Sequence, residues 1–406
     1  MKIKVGVIFG GESVEHEVSI ISAIQAMNKI DQEKYDIIPI YITKNREWYT
    51  GEMLKDIEVY SDLSLIEKYG KNVVLYYSKG AYVLQNKKFP RNVITDIDIA
   101  FPIVHGTNVE DGVLQGYLQS IGIPFVGGDV YASVVGQDKV FMKDIFEKDG
   151  LPITKYTWFY DVDYKNDPDE VLAKVKKLKY PLIVKPATTG SSVGIKVADN
   201  ADELKEAIED AMQYDKKIVV EEVVSNLKEV NISVVGNYEH QKVSEIEEVI
   251  SAEKFLTYAE KYIGGGKKLK GEMKAPIKTS SKGMASANRK LPADITKKLR
   301  DEVEEVAIKA FKSLGSAGVC RIDFLIDEKA KKVYINEINS IPGSLSFYLW
   351  EAKGVRYSDL LDDLINIGVK DYKKRISKTH SFNTNILKGF AANGFKGMKG
   401  MKGKLR

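Results

Sequence analysis

The chain has 406 residues, of which 44% are hydrophobic and 29% charged, with a formal net charge of +4. That length leaves room for two or three domains with substantial cores, the composition is that of a soluble globular protein, and so small a net charge gives no reason to expect nucleic acid as a partner. One cysteine, Cys320, rules out an internal disulfide and fits a reducing, cytoplasmic setting.

The opening segment, MKIKVGVIFGGES, reads as a first core strand and not as a signal peptide, because its apolar run is short and breaks at Gly10-Gly11 before a glutamate. No segment approaches the roughly 18 apolar residues that a membrane span needs. Residues 3–9 read as a strand, Val18, Ile21, Ile24 and Met27 recur at helical spacing, and residues 37–43 read as strand again, which makes a βαβ unit. A further strand over residues 97–104 runs into HGTNVEDG, with a helix through Leu114 and Tyr117. The pattern predicts a doubly wound, Rossmann-like half. Such sheets bind ligands at the carboxyl ends of their strands, where Gly10-Gly11-Glu12-Ser13 and His105-Gly106 fall.

After Gly127 a long helix is expected over residues 131–148. The stretch YPLIVKPATTGSSVG follows: an apolar strand, Leu182-Ile183-Val184, delivers Lys185 into a loop of small residues and hydroxyls. Such a loop brings backbone N–H groups close to an anion, so phosphate is its natural guest. The order is not that of a Walker A loop, in which the lysine follows the glycines and opens a helix. A helix over 201–212, a strand at 218–224 (IVVEEVV) and a hairpin arm (NISVVGN) come next. Residues 263–289 are crowded with glycine, lysine and serine without an apolar period, and read as a long mobile loop of the functional kind. A helix over 302–314 leads to two strands, RIDFLID and KKVYINEIN, and the lysine-rich end, residues 371–406, reads as a basic disordered tail.

The two late strands carry the sharpest chemical signal. Strand alternation puts Arg321 and Asp323 on one face, and Glu337 and Asn339 together on the partner. Two carboxylates and an amide are hard ligands suited to Mg²⁺ or Mn²⁺ that also binds nucleotide phosphates. The plainer alternative, a salt-bridged strand pair, is disfavoured by the cost of burying paired acids without a cation. Lys139 and Lys185 can reach polyphosphate oxygens from two sides. Glu221 can accept from an adenine amino group and Glu229 from ribose hydroxyls, with a solvated acidic edge as the alternative. At the amino end the glycines of GGESVEHEVS permit a tight turn that aims Glu15 over the crevice. No Ser-His-Asp or zinc pattern stands out.

The motifs GGESVEHEVS, HGTNVEDGVLQGYL, VKPATTGSSVG, EKY, RIDF and EINSIPGS occur in the order of the D-alanine–D-alanine ligase family of the ATP-grasp superfamily, and the resemblance covers about residues 1–370. It implies a Rossmann-like α/β domain (1–127) followed by an ATP-grasp fold of two α+β domains (128–224 and 225–370), with ATP held between the last two. It also implies two Mg²⁺ or Mn²⁺ ions, D-alanine as substrate and a cytoplasmic role in peptidoglycan synthesis, and leaves the oligomeric state open, a homodimer among the options. By matching position, Lys139 and Lys185 resemble the phosphate-contacting lysines, Ser192 belongs to the lid over the phosphates, and Lys261 matches a loop lysine near the transferred phosphate. Glu221, Val223, Val224 and Glu229 resemble the adenine and ribose contacts, and Asp323, Glu337 and Asn339 the metal ligands. Arg321 and the Gly343 amide match the donors that stabilise the tetrahedral oxyanion. Glu15, Ser191 and Tyr262 match the triad that holds the first D-alanine and the lid, with His105 and Glu110 as the wall of that site.

The chain departs from the family's pattern at four places, one of them the loop after Tyr262, which is longer and more basic than in many members. Val109 stands where GxxGEDG has a glycine, and Thr188-Thr189 stands where an arginine-glutamate is common. Tyr348-Leu349 replaces the serine-leucine pair that receives the second substrate's carboxylate. The acceptor is therefore open between D-alanine and D-serine, D-lactate or another D-acid. A non-catalytic nucleotide-binding or interaction protein is the rival of another class, and it would have no reason to keep Asp323, Glu337 and Asn339 together.

Overall fold

The computed structural model describes residues 2–190, 193–250 and 289–382. Ser191, Ser192, Lys261, Tyr262, the loop expected over 263–289 apart from Arg289, and residues 383–406 of the expected tail lie outside the described residues. The described residues up to Val369 belong to one compact unit, and those from Lys370 on to another. The last described helix, Tyr357–Ile376, continues past the expected boundary at 370. Among the described residues no helix is long and apolar enough to cross a membrane.

The first sheet contains β1 (Ile3–Gly10), β2 (Tyr35–Ile42), β3 (Trp48–Thr50), β4 (Lys71–Ser78), β5 (Ala81–Asn86), β6 (Val93–Ile97) and β7 (Ile99–Pro102), in the order β6-β5-β4-β3-β2-β1-β7. Only β2, β1 and β7 run parallel, as the βαβ reading requires. The rest is an antiparallel meander that the helix-strand alternation did not reveal. The single strand expected over 97–104 is two strands split at Asp98, whose carboxylate accepts from the Lys4 amide at 2.8 Å. At the end of β1, Gly10 has φ 90°, and a Cβ there would lie 2.2 Å from the Ile42 carbonyl, which accepts the Gly11 amide at 2.8 Å. Only glycine fits that turn, and the turn starts the helix His16–Met27 just behind Glu15.

The second sheet, β8 (Tyr156–Tyr160), β9 (Leu182–Pro186), β10 (Lys196–Ala198) and β11 (Lys217–Glu222), has the order β10-β9-β11-β8 and is antiparallel throughout. Leu182, Val184, Ile218 and Val220 pack beneath the helices Pro168–Val175 and Ala201–Ala211. The period of two then turns Ile183, Lys185 and Glu221 to the other face. The third sheet, β12 (Leu227–Gly236), β13 (Gln241–Val249), β14 (Arg289–Lys290), β15 (Gly318–Asp327) and β16 (Lys332–Asn339), has the order β14-β13-β12-β15-β16. Its Val230, Ile232, Ile322 and Phe324 pack under the helix Lys297–Ser313, which leaves Asn231, Arg321 and Asp323 on the opposite side.

The helix expected over 131–148 is two helices, Val130–Gln137 and Lys139–Lys148. Asp138 breaks them: its carboxylate accepts from the amides of Val140 and Phe141 at 2.9 and 3.2 Å, which caps the second helix, and it pairs with the buried Lys217. The cap places Lys139 in the first turn, at the mouth of the cleft.

Candidate active site

The polar faces of the second and third sheets enclose one cleft, with the turn after β1 and the loop after β16 at one end. Its wall includes Glu15, His105, Glu110, Lys139, Lys185, Glu221, Val223, Val224, Glu229, Arg321, Asp323, Glu337, Asn339 and Gly343. Tyr348 and Leu349 are buried but do not line it.

The strand pairing sets the polar cluster. Arg321 lies opposite Asn339 and Asp323 opposite Glu337, and the Arg321 guanidinium grips Asp323 through Nε and Nη2 at 2.7 and 2.8 Å. Arg321 is buried, which alone would favour its neutral form, but the Asp323 charge raises its pKa well above the arginine value. The register slips by one residue after Asp323, so Asn336 is unpaired between Ile335 and Glu337. A bulge of this kind lets two successive residues face one side, and both Asn336 and Glu337 line the cleft. Asn336 Oδ1 accepts from Lys185 Nζ at 3.0 Å, a contact that the regular period of two did not predict. On the facing side Lys139 Nζ lies 3.7 Å from Glu337 and donates to the Thr189 carbonyl at 2.8 Å.

Glu221 is not an exposed acidic edge. Its carboxylate is fully buried, 3.0 Å from Lys143 Nζ and 3.2 Å from Lys185 Nζ, and it accepts from the Thr154 hydroxyl at 2.7 Å. Burial alone would raise its pKa, and the two ammonium groups overcome that and lower it to about 2. Lys143 carries no sequence signal beyond its place on an amphipathic helix. Burial pulls its ammonium below the ordinary lysine range, against the opposing pull of Glu221. The pair fixes Lys185 from behind.

At the other end, a closed chain of hydrogen bonds holds the loop that carries Gly343. His105 Nδ1 lies 2.8 Å from the Ile341 carbonyl, so that nitrogen carries the proton and Nε2 accepts from Ser22 Oγ at 3.0 Å. Ser22 Oγ in turn accepts from the Ser344 amide at 2.8 Å. Burial lowers the His105 pKa, which keeps the neutral ring this chain needs. Glu110 accepts from the amides of Gly106 and Ile341 at 2.9 and 2.8 Å and from the Ser340 hydroxyl at 3.0 Å. Burial, with the nearby Glu15 charge adding to it, raises its pKa to about 7. Both residues thus brace the loop after β16 as well as walling the cleft.

The departures have local accounts. Val109 packs on the glycine turn, since a Cβ on Gly11 would lie 2.5 Å from Val109 Cγ1. Thr188 anchors the start of the loop after β9 by donating its amide and hydroxyl to Asp215 at 2.7 and 2.8 Å. The described end of that loop reaches the amino-terminal turn: a Cβ on Gly190 would lie 3.0 Å from Glu15 Oε2.

Two family models divide the chain between them. The one described as D-ala D-ala ligase N-terminus matches residues 4–128, and D-ala D-ala ligase C-terminus matches residues 145–366. The chain belongs to the D-alanine–D-alanine ligase family. A curated relative, the D-alanine--D-alanine ligase of Thermosipho melanesiensis, is 37% identical over 388 residues, covering 95% of this chain and 98% of the relative. Among solved structures, the D-alanine-D-alanine ligase from Coxiella burnetii is 25% identical with a TM-score of 0.76, covering 97% of this chain and 99% of that one. The VanG D-Ala:D-Ser ligase from Enterococcus faecalis is 31% identical with a TM-score of 0.73, covering 91% and 100%. The mixed α/β architecture with three sheets is that of these D-alanine–D-alanine ligases, which have the ATP-grasp fold.

Within this family fold the two residues expected to receive the acceptor's carboxylate, Tyr348 and Leu349, both lie off the cleft wall. The Tyr348 hydroxyl does not open into the cleft: it donates to the fully buried Glu247 at 2.9 Å and accepts from Arg289 Nη1. Arg289 lines the cleft in its place, and its only sequence signal is a basic residue at the end of a glycine- and lysine-rich segment.

Proposed function

We propose that the protein is an ATP-dependent, ADP-forming ligase that joins two D-alanines into D-alanyl-D-alanine for peptidoglycan synthesis, in the cytoplasm. The observation that carries this reading is the facing of Lys139 and Lys185 with Asp323, Glu337 and Asn339 across one cleft, with Arg321 and Gly343 at its end. Three domains, divided near residues 127 and 224, are part of the proposal. A homodimer is part of it too, supported by the exposed apolar side chains of Val113, Tyr131 and Val134.

Purine lies between the apolar side chains of Ile183 and Leu325, near the backbone of Val223 and Val224, with Glu229 accepting from the ribose. Lys139 and Lys185 receive the phosphates, the second held in place by Glu221 and Asn336. The family resemblance assigns Ser191, Ser192, Lys261 and Tyr262 to the same site, and all four lie outside the described residues. Asp323, Glu337 and Asn339 fit Mg²⁺ or Mn²⁺, two ions in this reading, because their donors are hard oxygens paired across two strands and Glu337 is shared with Lys139. Such ions, when bound, neutralise charge on the transferring phosphate.

The carboxylate of the first D-alanine attacks the γ-phosphorus of ATP, and ADP leaves with the electron pair of the broken P–O bond. The amine of the second D-alanine then attacks the acyl carbon and loses a proton, and inorganic phosphate departs with the C–O electron pair. Negative charge gathers on the carbonyl oxygen between these steps, where the Arg321 guanidinium and the Gly343 amide are preorganised by Asp323 and by the His105–Ser22 brace. Glu15, beside Gly190, orients the ammonium of the first D-alanine.

Joining D-alanine to D-serine is the second reading, favoured by the 31% identity to a D-Ala:D-Ser ligase. Phosphate release measured with ATP and D-alanine, alone and with D-serine or D-lactate, separates the two. Release with D-alanine alone and a D-alanyl-D-alanine product supports the first; release only with D-serine present supports the second.

A further inference from the structure

We propose that Arg289 is the residue that receives the carboxylate of the second, acceptor substrate. This deepens the ligase reading and rests on it. Arg289 stands on β14, lines the cleft, and has a side chain only 11% exposed. Its position is fixed from one edge. Nη1 donates to Glu247 Oε1 and Oε2 at 3.3 and 3.0 Å and to the Tyr348 hydroxyl, and the guanidinium lies 5.0 Å from the centre of the Tyr348 ring. Glu247 is itself fully buried and is held by Asn231 Nδ2 at 3.0 Å and by the Tyr348 hydroxyl at 2.9 Å. The other edge is unspent: Nε is buried and has no hydrogen-bond partner among the described residues. A buried, charged donor without a partner, on a residue of the cleft wall, is costly unless a ligand meets it.

The chemistry of the gap selects a carboxylate. A guanidinium edge with Nε free offers parallel N–H donors to two oxygens, and a rigid fork held by Glu247 loses little entropy when it binds. The competing groups are committed. Arg321 uses its Nε and Nη2 on Asp323, and the Tyr348 hydroxyl already donates to Glu247. Tyr348 follows Gly343 by five residues in the same loop-helix segment, which puts the Arg289 fork beside the oxyanion donors, where an amine bound for the acyl carbon must be held. Tyr348 and Glu247 are positioning residues, and they act through Arg289.

The test compares D-alanine with D-alaninamide as acceptor, the amide lacking the carboxylate charge. In the unsubstituted protein D-alanine is preferred. In Arg289→Gln the acceptor KM rises on the order of thirtyfold or more and the preference over the amide collapses, while the KM values for ATP and for the first D-alanine move less than threefold. Arg289→Lys, which keeps the charge opposite Glu247 but lacks the fork, guards against loss of fold and shows the same collapse to a lesser degree; its thermal midpoint reports folding. Unchanged discrimination in both variants, or a rise in the KM of ATP instead, overturns the proposal alone. No phosphate release from the unsubstituted protein with D-alanine overturns the ligase reading and this proposal with it.

Discussion

Glu337 stands directly opposite Asp323 on paired strands, and the extra residue beside it, Asn336, reaches across the cleft to Lys185. The two sheets are therefore joined at the point where the carboxylates gather. Replacing Glu337 by glutamine keeps the shape but removes a charge that the proposed site needs for a phosphate and its cation. Turnover is expected to fall on the order of a hundredfold or more, with the far-ultraviolet circular dichroism unchanged. Calorimetric titration of the nucleotide at several Mg²⁺ concentrations should show weakened metal dependence. Near-normal turnover with unchanged metal dependence would remove Glu337 from the metal site.

Glu221 neutralises two buried lysines at once, so its loss is felt in stability. Glu221→Gln leaves Lys143 and Lys185 facing each other in a dry interior and should cost about 3 kcal/mol. Lys143→Met should cost less, because Lys185 still pairs with the carboxylate. The pH dependence has a definite sign. A carboxylate held at about 2 contributes stability that is fully present above its unfolded value of 4.5 and is lost as pH falls toward 2. Denaturant unfolding between pH 5 and 2 (roughly the window set by that shift) should show a steeper loss in the parent than in Glu221→Gln.

Glu110 has the opposite sign. With its pKa raised to about 7, the folded protein holds a proton that the unfolded chain releases near 4.5. Its contribution to stability is present below 4.5 and declines as pH rises through 7, at up to about 1.4 kcal/mol per pH unit. Glu110→Gln should flatten the slope of unfolding free energy over that window. An identical slope in parent and variant would mean that the carboxyl ionises normally behind its three donors.

Tyr348→Phe removes one hydrogen bond to Glu247 and one from Arg289 without changing the ring beneath the guanidinium. The acceptor KM is expected to rise roughly three- to tenfold and turnover to fall less, the signature of lost ground-state positioning. Steady-state kinetics with D-alanine varied over both its sites measures the split. A fall confined to turnover would place the tyrosine in the chemical step instead.

The parts of this site that were legible in the sequence obey a period. Arg321 and Asp323, or Ile183 and Lys185, share a strand face because side chains alternate, and the glycine turn before Glu15 follows from a positive φ that only glycine tolerates cheaply. What escaped breaks a period or depends on distant partners. Asn336 faces the cleft through a bulge, and the helix break at Asp138 is a cap hidden inside a continuous helical period. The antiparallel meander β3–β6 lies in the chain between the parallel strands β2 and β7, its last three strands joined by short connections rather than by helices that would mark it. Lys143 and Arg289 carry no signal of burial in the sequence. Their burial is fixed by Glu221 and Glu247, which pair with them only once the sheets are assembled.

Ligation of two D-alanines requires this cleft to couple ATP cleavage to peptide-bond formation. The direct measurement is a stoichiometry: ADP, inorganic phosphate and D-alanyl-D-alanine quantified in one reaction of the purified protein with ATP, Mg²⁺ and D-alanine. One of each is expected per turnover, with negligible ADP formed when D-alanine is left out, and loss of all three products together in Arg321→Ala. ADP formed at the same rate without D-alanine, or phosphate released with no dipeptide, would contradict that coupling.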